Sequence, residues 1–72
     1  MRRTEIVTEV AGKVWKIEAR PGSRLAAGNT ILILESMKME IPVAAFCAGK
    51  LAELRVKEGE MLQEGDIVAV VE

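Results

Sequence analysis

Residues 11–35 read AGKVWKIEARPGSRLAAGNTILILE, and residues 48–72 read AGKLAELRVKEGEMLQEGDIVAVVE. The two stretches align without a gap at an offset of 37, and 7 of 25 positions are identical. The identities are Ala11/Ala48, Gly12/Gly49, Lys13/Lys50, Gly22/Gly59, Leu25/Leu62, Gly28/Gly65 and Glu35/Glu72. Most other positions keep their character: Val14 matches Leu51, Ile17 matches Leu54, and Asn29 matches Asp66. An internal repeat constrains a fold before any single segment does. Glycines at matched positions imply matched turns, because glycine alone accepts positive φ or close backbone approach without steric cost.

Each half reads the same way. A glycine opens an alternating segment, Val14 to Ala19 or Leu51 to Val56, and period-two alternation is the mark of a half-buried strand. A polar turn follows, RPGS or KEGE. A lone leucine, Leu25 or Leu62, then dips toward the core in a short strand. A second turn, AAGN or QEGD, leads into an apolar strand, Ile31–Leu34 or Ile67–Val71. A further extended segment precedes each repeat, Glu5–Val10 and Ile41–Ala45. About eight short strands with turn signals between them, and no helix, predict an all-β fold. The pattern fits an all-β sandwich or a flattened antiparallel β-barrel, and the two similar halves suggest a pseudo-twofold internal repeat. The offset of 37 relates residue 38 to positions 1 and 75. The link between the halves and the chain ends therefore fall at opposite ends of the molecule, with Lys38 at one tip.

Size and composition agree with a single domain over residues 1–72. Half the residues are apolar, and the only aromatic ones are Trp15 and Phe46. The core must come from Val, Ile, Leu, Ala and Met, of which the β-branched members suit strands. Trp15 reads as a structural residue of the barrel. The net charge of −1 is spread over mixed signs without a basic stripe, which excludes a nucleic-acid footprint. The longest aliphatic run is Ile31–Leu34, far short of the roughly 20 residues of a membrane span. The opening MRRTEIVTEVAG has no apolar core of a secretory signal. One cysteine, Cys47, permits no intrachain disulfide, which suits a reducing, cytoplasmic setting, and it reads as a small buried hydrophobe. There is no histidine, which removes Ser-His-Asp and Cys-His catalysis and the usual metal ligand sets. No metal site is expected. Glu58, Glu60, Glu64 and Asp66 fall in glycine-containing turns and read as solvated charge.

One stretch between the repeats is left over: Glu35-Ser36-Met37-Lys38-Met39-Glu40. As a strand it would place Met37 and Met39 on one face, against the core, and Lys38 on the other. A helical reading of LESMKMEI is opposed by its shortness and by Pro42. A lysine at a hairpin tip has a third use. An ordinary lysine amine is almost wholly protonated at neutral pH. It is a poor catalyst alone but a good substrate for an enzyme that deprotonates and acylates it.

ESMKME resembles the attachment motif of the biotinyl domains, Glu-Ala/Ser-Met-Lys-Met, and the two-half layout resembles that family across nearly the whole chain. The resemblance implies a flattened barrel with the modified lysine on a tight hairpin between the halves. It implies that Lys38 is the acceptor of biotin, attached as an amide by biotin protein ligase from biotinyl-AMP. Met37 and Met39 match the flanking pair associated with ligase recognition and with later carboxylation chemistry, Glu35 the acidic residue three places earlier, and Ser36 the Ala/Ser position. The implied function is that of a non-catalytic biotin carboxyl carrier. It would take carboxylate from a biotin carboxylase and pass it to a carboxyltransferase, most often toward an acyl-CoA, as in acetyl-CoA carboxylase and fatty acid biosynthesis. The related lipoyl domains carry Asp-Lys-Ala here, so Met37 and Met39 disfavour a lipoyl carrier. An unmodified β-barrel interaction module is the other alternative. Two departures concern loops: Glu9, Ala11 and Phe46 stand where many members have proline, and Ile41-Pro42 where many have Asn-Glu. The gapless repeat predicts no thumb insertion, and the chain is similar to short stand-alone attachment proteins or to an excised domain.

Overall fold

The computed structural model describes residues 3–72. Eight strands run in order: β1 (Thr4–Val7), β2 (Gly12–Ile17), β3 (Arg24–Leu25), β4 (Thr30–Ser36), β5 (Met39–Ala44), β6 (Gly49–Leu54), β7 (Met61–Leu62) and β8 (Ile67–Val71). They form two four-stranded sheets, ordered β1-β8-β6-β3 and β5-β4-β2-β7, with every pairing antiparallel. Adding 37 to β2 and β3 gives the bounds of β6 and β7, and the same shift carries β1 onto β5 and β4 onto β8. Under that shift one sheet order becomes the other. The all-β barrel-sandwich with two equivalent halves is therefore the fold.

The equivalence extends to irregularities. The register of β2 on β4 skips Trp15, and that of β6 on β8 skips Ala52, its mate in the repeat. Ile31 is skipped between β4 and β5, and its mate Val68 between β1 and β8. Bulges at matched positions add twist and bend, which is how short sheets curl into a barrel. Trp15 stands 49% exposed at its bulge, not within the core. The extra residue interrupts the alternation that would have placed its ring predictably in or out.

The core is paired in the same way. Ile6/Val43, Val14/Leu51, Ala19/Val56, Leu25/Leu62, Ile31/Val68, Leu32/Ala69 and Leu34/Val71 are all buried. Thr8 and Ala45 are an eighth buried pair. The Thr8 hydroxyl is satisfied by donating to the Val10 carbonyl at 2.7 Å, as a buried polar group requires. Backbone hooks repeat too: Thr8 N donates to Asp66 O and Gly65 N to Thr8 O, while Ala45 N donates to Asn29 O and Gly28 N to Ala45 O. β1 ends at Val7, earlier than the expected Val10, because Thr8 turns to make this hook. Cys47 is half-buried and packs against the core from its edge.

The turn chemistry explains the shared glycines. In AAGN, Asn29 N donates to Ala26 O at 3.0 Å while the Asn29 side chain accepts from Ala26 N at 2.8 Å. In QEGD, Asp66 and Gln63 repeat both bonds at 3.0 and 2.8 Å. The third position of each turn has φ of 94° at Gly28 and 90° at Gly65, a type II requirement that a side chain would oppose. The turn carboxylates are thus more than solvated charge. Asp66 and Glu60 close their own turns, and Glu58 accepts a hydrogen bond from the Ile17 amide at 3.0 Å. Glu64 is exposed, as expected.

Candidate functional site: the β4–β5 hairpin

β4 and β5 are joined by two residues, Met37 and Lys38. The last rungs of the hairpin are Glu35 opposite Glu40 and Ser36 opposite Met39. A two-residue connection between right-twisted strands selects a turn with positive φ at both central positions. Met37 has φ of 50° and Lys38 of 67°, the only non-glycine residues with positive φ among those described. Type I′ turns of this kind favour Asn-Gly. A methionine and a lysine there carry a steric penalty of about 1–2 kcal/mol each. Strained backbone that persists in a native fold clusters at functional sites.

The turn throws its side chains outward. Lys38 is exposed, Met37 is 93% exposed and Met39 is 63% exposed. The strand reading, with both methionines against the core and lysine outside, does not hold. β4 ends at Ser36 and the turn residues leave the sheet before a core face exists. No ion pair among the described residues involves Lys38. The five motif residues Glu35, Ser36, Met37, Lys38 and Met39 therefore sit together on one hairpin tip. Exposed, unpaired and stiffly held at its backbone, the Lys38 amine fits an acyl substituent.

The tip is supported from below. Gly12 opens β2 beside the end of β4, and a Cβ built on it would lie 3.0 Å from the Glu35 carbonyl and 3.4 Å from Ser36 Cβ. Across β2, Gly12 pairs with the buried Leu62 of β7. Beside Gly12, Ser36 pairs with Met39 on the last rung of the hairpin. On the outer face the next row is Met61–Lys13–Glu35–Glu40, all exposed. The opposite end of the molecule, which is 37 Å long, holds charge instead. There Arg3 bridges Glu53 and Glu72, and Arg55 bridges Glu53. These partners are about half exposed or less, and pairs open to solvent contribute little. A groove of about 370 Å³ lies between Val7–Val10 and the β5 edge, with Phe46 at its rim. Among the described residues no cluster of three or more His, Cys, Asp or Glu could hold a metal ion.

Gly12, Glu40 and Met61 were not singled out as site residues by the motif. Gly12 was visible as an identity of the repeat, whereas nothing local marks Met61, which reaches this end only through the β2–β7 pairing.

Known proteins are similar to this chain over most of its length. Residues 2–71 match the biotin/lipoyl family model, described as "Biotin-requiring enzyme". The chain is 42% identical over 60 residues to the biotin/lipoyl attachment protein of Bacillus subtilis, covering 83% of this chain and 82% of that one. It is 36% identical over 67 residues to the biotinylated protein TB7.3 homolog of Mycobacterium leprae, covering 93% and 94%. In structure it superposes on the urea carboxylase of Kluyveromyces lactis with a TM-score of 0.94 and 35% identity, over 100% of this chain and 6% of that one. The chain belongs to the biotin/lipoyl attachment family. Covalently attached biotin is the cofactor that the family description and the biotinylated relative give for such a domain.

Proposed function

We propose that Lys38 is the residue that carries biotin, and that the domain is a biotin carboxyl carrier of a biotin-dependent carboxylase. The observation that carries this reading is the exposed, unpaired Lys38 held at positive φ on a hairpin tip within a matching motif. Modification joins the Lys38 Nζ to the biotin carboxyl carbon of biotinyl-AMP. The amine loses a proton to the biotin protein ligase, and AMP leaves. When bound, biotin supplies a ureido nitrogen that takes up carboxylate and later gives it up.

The chain's own part is physical. Forming the amide removes the lysine charge, so the arm enters a desolvated pocket at lower cost. The I′ turn projects the arm away from the sheets, and the rows beneath it keep its root fixed. A tethered group visits successive active sites at high effective concentration. Its partners on this reading are the ligase, a biotin carboxylase and a carboxyltransferase, in the cytoplasm. The domain catalyses none of these steps. An acyl-CoA is the acceptor we favour on the family's general pattern, although the matched urea carboxylase carries a name that gives urea.

The test is intact mass after co-expression with a biotin ligase. One biotin per chain is expected, with none on Lys38→Arg. A wild-type mass without biotin contradicts the reading, and a gain matching lipoate would assign the domain to lipoyl carriers.

A further inference from the structure

The three methionines after Met1 are Met37, Met39 and Met61. All three are exposed, at 93%, 63% and 63%, and all three lie at the acceptor end of the barrel. Met37 and Met39 belong to the hairpin motif. Met61 does not; it stands on β7, opposite Lys13, which stands opposite Glu35. Its mate in the repeat is Arg24, exposed at the far end opposite Lys50. The matched positions at the two ends are thus differently dressed, a methionine on the Lys38 side where the far end has an arginine.

Distance makes Met61 relevant to Lys38. Neighbouring strands lie about 4.8 Å apart and residues rise about 3.3 Å along each, so Met61 is roughly 13 Å from the turn. A standard protein interface covers about 800 Å² on each partner, a disc of roughly 16 Å radius. Met61 therefore lies within reach of a standard interface centred on the turn. Methionine is flexible and polarisable, and suits a surface that must fit a partner's apolar contacts without being rigidly shaped for them. Between the methionines, Glu35 faces Glu40 directly, an arrangement that costs stability in a sheet. Lys13 offsets only one of these charges, so the row is left net negative.

We propose that Met61 extends, on the outer face of the sheet, the recognition surface that Met37 and Met39 give the enzyme that acylates Lys38. The partner face is apolar with a cationic rim opposite Glu35 and Glu40. Met61 contacts the partner but not the reacting atoms, so it sets binding of the carrier and not the chemical step.

The inference rests on Lys38 being the acceptor, and the experiment separates the two. Initial rates of biotin incorporation are measured with purified ligase, biotin and MgATP against carrier concentration. Met61→Glu is expected to raise KM for the carrier about fivefold or more while kcat stays within about twofold. Met61→Leu is expected to retain wild-type KM. Arg24→Glu, the repeat mate at the far end, is expected to leave both constants unchanged. Both glutamate sites are exposed, so melting temperatures should stay close to wild type. An unchanged KM in Met61→Glu, or an equal rise in Arg24→Glu, overturns the proposal. An effect of Met61→Glu confined to later carboxylation also overturns it. A wild-type chain that takes up no biotin defeats the acceptor assignment instead.

Discussion

Replacing Met37 by asparagine should make the domain more stable. Met37 sits at φ of 50°, where an L-residue with an ordinary side chain is penalised by about 1–2 kcal/mol. Asparagine tolerates that region and is the favoured first residue of a type I′ turn. Met37 is 93% exposed, so removing its side chain forfeits almost no burial that would offset the gain. The expected net is about 1 kcal/mol of added stability, or about 4–8 °C in melting temperature for a domain of this size. Thermal unfolding followed by circular dichroism at matched protein concentration measures it. Met39→Asn is the internal control, since Met39 is a strand residue without positive φ and should not be stabilised. An unchanged or lowered Met37→Asn midpoint, or an equal rise in Met39→Asn, would refute the strained turn. The same substitution removes a motif side chain, so the stabilised variant should be a poorer ligase substrate, with stability and acceptance moving in opposite directions.

Other outcomes follow from the packing. Leu34→Ala empties a fully buried position under the hairpin and should cost about 2–5 kcal/mol, seen as a large drop in urea midpoint at constant m-value. Gly49→Ala should be severely destabilising or prevent folding, because its Cβ would lie 2.5 Å from the Glu72 carbonyl at φ of 159°. Gly12→Ala, with a closest approach of 3.0 Å and no positive φ, should be milder, shifting the amide resonances of residues 35–39 while the barrel stays folded. Equal losses from the two glycine substitutions would contradict this ordering.

The repeat made much of the fold legible. Seven identities at one offset were enough to place the six strands inside the repeat and both turn pairs, because two of them, Gly22/Gly59 and Gly28/Gly65, are turn glycines at positive φ. The core followed from the same offset, since each buried aliphatic residue of the first half predicts its mate. What was not legible arose where geometry overrides local preference. Nothing in Met37-Lys38 signals a type I′ turn; its positive φ values are imposed by two twisted strands joined by two residues. The alternation around Trp15 predicts no bulge, because the skipped residue is decided by sheet curvature across strands. Met61 reached the acceptor end through a two-residue strand whose partner lies nearly fifty positions earlier, a contact that no local pattern encodes. The five motif residues were recognisable together because they are contiguous.

Exposure alone does not single out Lys38. Lys13, Lys16, Lys50 and Lys57 are exposed as well. If the hairpin tip is what the acylating enzyme reads, the modification must discriminate among five accessible amines. Fragment-ion mapping of the ligase-treated wild-type chain measures this directly. On the proposed reading one biotin per chain is expected, on Lys38, with the other four lysines unmodified. Biotin spread over several lysines, or located on one other than Lys38, would contradict it.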